Sequence, residues 1–373
     1  MQMLARSYLT YEITGSASLL GVVAMGNAFP MIALSFFGGA FADRFNRKRI
    51  IQAGQAVFAT LALLIGLAIA TDQVTWIHLL VAAVIQGAAF SFMMPARQSI
   101  IPQLVGPGQL ANAIALNAAA MSAMTLASPG FAGVLYALTG PDNVYFIMSG
   151  LGVTAVAVTS MVPQTGGGPV KKKGSMLKDI GEGMSYIRRS PLIMSLLIMG
   201  LATTLLAMPF RQLMPVFVVD IYHMGPEYMG LLLSVMGGSS LVGALFVASL
   251  SRWRRGLLLI IIGSFMTGVA LLLIASVPLY IAAIFFMIPL GLGDAARRTL
   301  NQSLALEVAD NQYRGRVMGV FMLNRGMMPL GVLPTALLME FIGARIAIGI
   351  LAMLLLTFTT LILVTQKHMR EIS

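Results

Sequence analysis

The chain has 373 residues, 58% hydrophobic and only 10% charged, with 24 Lys and Arg against 13 Asp and Glu. Soluble domains carry about 25% charged residues, so a water-soluble globule is excluded, and with no cysteine so are disulfides, thiolate nucleophiles and cysteine–zinc sites. His78, His223 and His368 lie far apart in sequence, and the +11 net charge sits in short clusters between apolar runs, which argues against a metal cluster and against nucleic acid.

A bilayer core of about 30 Å takes about 20 apolar residues of helix, and the runs found here predict an all-α polytopic membrane protein. Residues 1–13 read as the second half of a span, since thirteen residues reach only about 20 Å. The expectation is that the first span of the intact protein is truncated here; no basic n-region or small-residue cleavage site marks a secretory signal. Full spans follow at 17–42, 50–70, 75–96, 110–138, 143–163, 192–219, 226–250, 256–276, 278–296, 316–339 and 344–365. Counting the partial one makes twelve. Barrel strands of about ten alternating residues do not fit runs of this length.

Lysine and arginine set the topology. Arg44–Arg49, Arg97, the linker's Lys171–Lys173, Lys178, Arg188 and Arg189, then Arg252–Arg255, Arg297, Arg298, Arg314 and Arg316 all fall between spans on one side. The opposite loops carry Asp72, Asp142, Asp220, Glu227 and Glu340, with Arg345 the lone basic exception. The positive-inside rule puts the basic side, and both ends of the intact chain, in the cytoplasm of a bacterial-type inner membrane.

Residues 164–190 break the apolar pattern and divide an N-terminal bundle, 1–163, from a C-terminal bundle, 191–373. Met176, Leu177, Ile180, Met184 and Ile187 fall at helical spacing. The linker therefore reads either as an amphipathic helix on the inner membrane surface or as a solvated tether. The halves resemble each other at offsets near 205, GGAFADRFNRKR (38–49) against GALFVASLSRWRR (243–255). Duplicated six-helix halves mark a transporter architecture with its substrate site near mid-membrane.

Gly39-Ala-Phe-Ala-Asp43-Arg44-Phe-Asn46-Arg47-Lys48 resembles the loop motif Gly-x-x-x-Asp-Arg-x-Gly-Arg-Arg/Lys of the major facilitator superfamily, at the place that family keeps it, between spans 2 and 3. Asn46 replaces the second Gly; it tolerates a left-handed backbone and leaves the turn intact. The resemblance implies that Asp43 meets the amino end of span 11, near Arg314-Gly315-Arg316, where helix dipole and basic side chains favour an anion. That contact would close the cytoplasmic side. Arg47, Lys48 and Arg49 also read as a plain positive-inside anchor, for which an acid has no use.

Ser128-Pro129-Gly130-Phe131-Ala132-Gly133 resembles the Gly-Pro-x-x-Gly-Gly element of exporters in this superfamily, and Pro129 predicts a bend. One departure bears on mechanism. Proton-coupled drug exporters of the family place an arginine three residues before a Gln-Gly pair, and before Gln86-Gly87 the position is Ala83. YEITGS (11–16), MPARQSIIPQLV (94–105) and RGRVMGV (314–320) are similar to the branch containing the enterobactin exporter and macrolide efflux proteins.

Ionisable groups inside spans are functional candidates by default. Arg6, Glu12, Arg211, Asp294 and Arg325 qualify, with Asn27, Asn117 and Asn324 as polar supplements. Asp294 is expected near the inner end of span 10, in a boundary salt bridge with Arg297 or Arg298 rather than in proton coupling. Arg6 and Arg211 read either as facing an anionic substrate or as buried against backbone carbonyls.

No phosphate-binding loop of the form G-x-x-x-x-G-K-[ST] is present, and no nucleophile–base or metal constellation, so an enzyme is not expected. The reading is a secondary-active exporter of a small amphipathic drug- or siderophore-like compound, without cofactor and driven by the proton gradient. The alternatives are an importer or lipid flippase of the same fold, or a non-transporting fragment or sensor. The expected partners are the lipid bilayer and a small-molecule substrate, not nucleic acid, with the chain acting as a monomer.

Overall fold

The computed structural model describes the chain except residues 107, 164–175, 250–255, 311–312 and 366–373. Within helices it leaves out the side chains of residues 35–40, 42–44, 111, 176–180, 183, 256–257, 315, 322–323, 325–326, 329 and 365. Helices make up the described chain: α1 Gln2–Thr14, α2 Ala17–Arg44, α3 Arg47–Ala70, α4 Trp76–Leu104, α5 Leu110–Met161, α6 Met176–Arg189, α7 Pro191–Leu206 and the short α8 Met208–Gln212 and α9 Met214–Val216. After a π-helical turn at Phe217–Ile221 come α10 Pro226–Ser249, α11 Gly256–Ser276, α12 Tyr280–Val308, α13 Arg314–Gly326, α14 Met328–Ile342 and α15 Ala344–Thr365.

Among the described residues nine helices are long and apolar enough to cross a membrane. One of them, α5, is broken at Gly140, whose φ of 85° and ψ of 164° suit glycine alone. It therefore serves as the two predicted spans 110–138 and 143–163. The predicted span 316–339 is split at Met327 into α13 and α14, and 192–219 is split at Ala207 and again at Leu213. Proline explains these breaks. Pro209, Pro215 and Pro329 each stand at the start of the next piece, where a missing N–H is harmless but a continuous ladder is not.

The chain ends of the spans also differ from the sequence reading. The apolar run of span 10 stops near residue 296, yet α12 continues to Val308, about 43 Å in all. Arg297 and Arg298 therefore lie inside a helix, not in a loop, and Arg97 likewise belongs to α4. The turn after α2 is also formed differently from expectation. Asn46 has φ −62° and ψ 114°, so it is extended rather than left-handed, and its Oδ1 caps α3 by accepting from Arg49 N at 3.3 Å.

The chain divides into two compact units, Met1–Lys173 with Gly225–Gly230, and Gly174–Met224 with Leu231–Ser373. In the first, α1 packs on α2, α4 and α5, and α3 packs on α4 and α5. In the second, α7 packs on α12, α13, α14 and α15, while α11 packs on α12 and α15.

A polar contact beside a close glycine approach occurs in each unit. Asn27 Nδ2 on α2 donates to Ala83 O on α4 at 3.3 Å, and Gly87, one turn on, lets the Asn27 backbone approach. In the second unit Ser239 Oγ on α10 lies 3.4 Å from Met287 O on α12, and Gly291, one turn on, faces Ser239 and Met236. Both are small-residue membrane interfaces with a polar donor beside them, which allow van der Waals contact where lipid offers no hydrophobic drive. Many hydroxyls satisfy themselves on their own helix, as Thr203 does on Met199 O at 2.9 Å.

Candidate functional site

The loop motif and the helix it was expected to meet are only partly described. The side chains of Gly39, Asp43 and Arg44 lie outside the described residues, as do those of Gly315 and Arg325. Arg47 and Lys48 act as ties within the first unit. Arg47 donates to Ser99 O at 3.3 Å, and Lys48 Nζ donates to Ser160 O and Val162 O at 2.6 and 2.7 Å, capping the carbonyl end of α5. Arg314 Nε donates to Leu306 O at 2.9 Å, and Arg316 pairs with Glu182 of α6 at 2.9 Å.

Those contacts give the linker helix a place. α6 is amphipathic and packs on α13 in the second unit. Ile187 is buried in a core with Ile193, Leu196 and Val317, and Tyr186 stacks on Tyr313 at 4.4 Å between centroids. The Tyr186 hydroxyl accepts from Asp310 N at 3.1 Å. Between the two sequence readings of the linker, its described part is thus a docked helix.

The helix 5 element lies within α5 and packs closely. Backbone dihedrals stay helical through Ser128, Pro129 and Gly130, and the break comes later, at Gly140. A Cβ on Gly133 would lie 2.5 Å from Pro226 O, and one on Gly230 would lie 2.6 Å from Pro129 O. The first residues of α10 belong to the first unit through this seam.

In the first unit's interior, Arg6 Nη1 donates to Gln86 Oε1 at 2.9 Å. Ala83 carries no charge, and the guanidinium beside Gln86 comes from α1 instead. Glu12 accepts from the Tyr136 hydroxyl at 2.5 Å, and Tyr8 meets the Tyr136 ring edge-on at 5.3 Å. Asn117 is half-buried on α5.

The second unit holds the more concentrated cluster. Asp294, 3% exposed, is fourteen residues from Tyr280, hence about 21 Å along α12. It therefore sits at the middle of the helix, not at an end. Arg297 Nη2 meets Asp294 Oδ1 at 2.8 Å, and Arg298 holds the other carboxylate oxygen. The expected salt bridge forms, but with both arginines and within the helix. Arg211 lies on α8, and its Nε is buried with no hydrogen-bond partner among the described residues.

Beside this cluster lies a cavity of about 240 Å³, lined by Gly200, Arg298, Asn301, Phe321, Asn324 and Met328 among others. Asn324 was anticipated as a site residue and Arg297 only as a salt-bridge partner of Asp294; Gly200 and Asn301 were not anticipated. The signal was available, because Asp294, Arg297, Arg298, Asn301 and Gln302 fall at i, i+3, i+4, i+7 and i+8, one face of a helix. Met-Pro pairs at 208–209 and 328–329 also mark discontinuous helices, which line binding sites in transporters. Among the described residues no group of three His, Asp or Glu could hold a metal ion.

Apolar helices long enough to span a bilayer, with charged groups buried among them, define an integral membrane protein. The family model described as "Major Facilitator Superfamily" matches residues 1–331, and the chain belongs to that family. It is 24% identical over 356 residues to "Macrolide efflux protein A" of Streptococcus pyogenes, covering 92% of this chain and 86% of that protein. It is also 24% identical over 322 residues to "Multidrug efflux pump Tap" of Mycolicibacterium fortuitum, covering 84% and 78%. Among solved structures, a bacterial homolog of the human lysosomal transporter Spinster, inward-facing and occupied, superposes with a TM-score of 0.73 at 15% identity, covering 98% and 95%. That likeness shows the fold.

Proposed function

We propose that the chain is a secondary-active exporter of a bacterial-type cytoplasmic (inner) membrane, both ends inside, that expels small amphipathic, drug- or siderophore-like compounds by proton-driven alternating access. The observation that carries the reading is the buried Asp294 between Arg297 and Arg298 on α12. Each charge placed within hydrocarbon costs about 2.5–3.5 kcal/mol on insertion scales, so such groups mark ion or substrate pathways. The sequence favoured a plain salt bridge for Asp294; its burial between two arginines beside a cavity revises that and makes it the coupling group in this reading. Its proton uptake would remove its negative charge and free Arg297 and Arg298 for binding at the cavity. The names of the efflux relatives support the outward direction. Asp43 serves as the cytoplasmic gate in this reading, and Arg47 and Lys48 brace the start of α3.

The test is retention of a panel of fluorescent lipophilic dyes and labelled siderophores in cells expressing the protein, Asp294→Asn or Asp43→Asn, with and without an uncoupler. Lowered retention that the uncoupler and both substitutions abolish is expected. Unchanged retention for every compound in well-expressing cells would sink the reading.

A further inference from the structure

We infer that the cavity beside α12 is a binding pocket for an anionic amphiphile that also offers O–H or N–H donors, of which an acid with a hydroxyl next to its carboxylate is the simplest. The inference names a substrate class for the proposed exporter and rests on that reading for its physiological meaning.

The first support is a pair of fixed acceptors. Asn301 Nδ2 donates to Leu196 O at 3.0 Å and Asn324 Nδ2 to Leu197 O at 3.2 Å, both on α7. Reversing either amide would set oxygen against carbonyl oxygen, so the geometry assigns the two Oδ1 atoms as the free ends. Both are buried and have no partner among the described residues. Gly200 makes this possible: a Cβ there would lie 2.8 Å from Asn324 Nδ2 and 3.0 Å from Asn301 Nδ2. Buried acceptors in a membrane interior need donors, and because both residues line the cavity, the donors are assigned to a ligand seated there.

Charge is the second support. Asp294 is paired with both Arg297 and Arg298, a surplus of one positive charge. The Arg298 side chain is 46% exposed while the carboxylate it holds is 4% exposed, so its open face reaches the cavity and can meet an anion. A cationic lipophile meets repulsion at the same place. Size is the third. A cavity of about 240 Å³ is smaller than the roughly 300–1,000 Å³ of drug-sized sites, so it takes a polar head group. Met208, Met318, Phe321 and Met328 give an apolar tail its wall.

The experiment measures saturable binding of radiolabelled 2-hydroxydecanoate, decanoate and decyltrimethylammonium to the full chain in phosphatidylcholine nanodiscs at neutral pH, with empty discs subtracted. The hydroxy acid should bind about fivefold to tenfold more tightly than decanoate, the size of one net hydrogen bond. The ammonium probe should show no saturable binding. Asn301→Ala and Asn324→Ala should reduce the hydroxyl preference, while Arg298→Gln, at a half-open position, should weaken both acids about tenfold and keep the preference. Equal binding of the two acids, ammonium binding at or above theirs, or no saturable binding of any probe overturns the inference, and each is read on the unmodified protein. Dye retention is scored separately: export that persists while this binding fails leaves the exporter without this ligand class, and binding without export leaves a pocket in a protein that is not a broad exporter.

Discussion

Replacing Gly87 by alanine tests how tightly the first unit is built. A Cβ there would lie 2.8 Å from the carbonyl carbon of Asn27 and 3.2 Å from its Cα, with the carbonyl oxygen nearer still. Carbon atoms rest at about 3.5–4.0 Å, so α2 must retreat by at least about 0.7 Å. Every obstructing atom is backbone, which cannot rotate away. The same retreat stretches the Asn27–Ala83 bond, already 3.3 Å, past useful length. Overpacking costs about 1–3 kcal/mol and a lost interhelical bond in a membrane about 0.6, so Gly87→Ala should cost about 2–4 kcal/mol. Gly150 on α5 is the internal control. Its Cβ would meet nothing within 4 Å, and alanine there should be neutral or stabilise by up to about 1 kcal/mol through helix propensity. Both variants are to be compared by denaturation in mixed detergent micelles, with helicity as the readout. Equal stability of Gly87→Ala and the parent, or equal losses for the two variants, would refute the packing argument.

Asp294→Leu should cost about 3–5 kcal/mol by leaving buried Arg297 without its counter-ion, and adding Arg297→Leu should restore part of that loss; the same denaturation measurement decides it. Tyr186→Ala should raise hydrogen exchange across α6 more than Glu182→Gln does, because the tyrosine supplies a stack and a hydrogen bond while the Glu182–Arg316 pair is partly solvated and worth about 1 kcal/mol or less. Gly140→Ala should destabilise by about 1–3 kcal/mol, read as a lower melting temperature in detergent, since its backbone falls where only glycine is at ease.

Much of the fold was legible because hydrocarbon thickness and apolar run length determine a span almost by themselves, and the loop motif added the family. The errors share a cause. Apolar runs end at the first charges, but a helix does not: α12 carries Asp294, Arg297, Arg298 and Asn301 inward because they satisfy one another and the carbonyls of α7. Reading Arg297 and Arg298 as loop residues hid the face that lines the cavity. Proline breaks were missed. Pro209 and Pro329 sit at breaks inside runs read as continuous, while Pro129 stays within a helix. Hydropathy alone does not separate the two cases, since the outcome depends on what packs beside the freed carbonyls. Asn46 was matched to a glycine position by its tolerance of left-handed backbone, yet it serves through its side chain as a cap.

The central claim, gradient-driven export, is tested most directly by the purified protein in proteoliposomes with an imposed pH gradient and a labelled substrate found by the retention assay. Substrate movement against the direction of proton flow, abolished by collapsing the gradient and lost in Asp294→Asn protein of unchanged fold, is the predicted result. Substrate movement that ignores the gradient, or that Asp294→Asn protein carries out at the parental rate and coupling, would contradict the account.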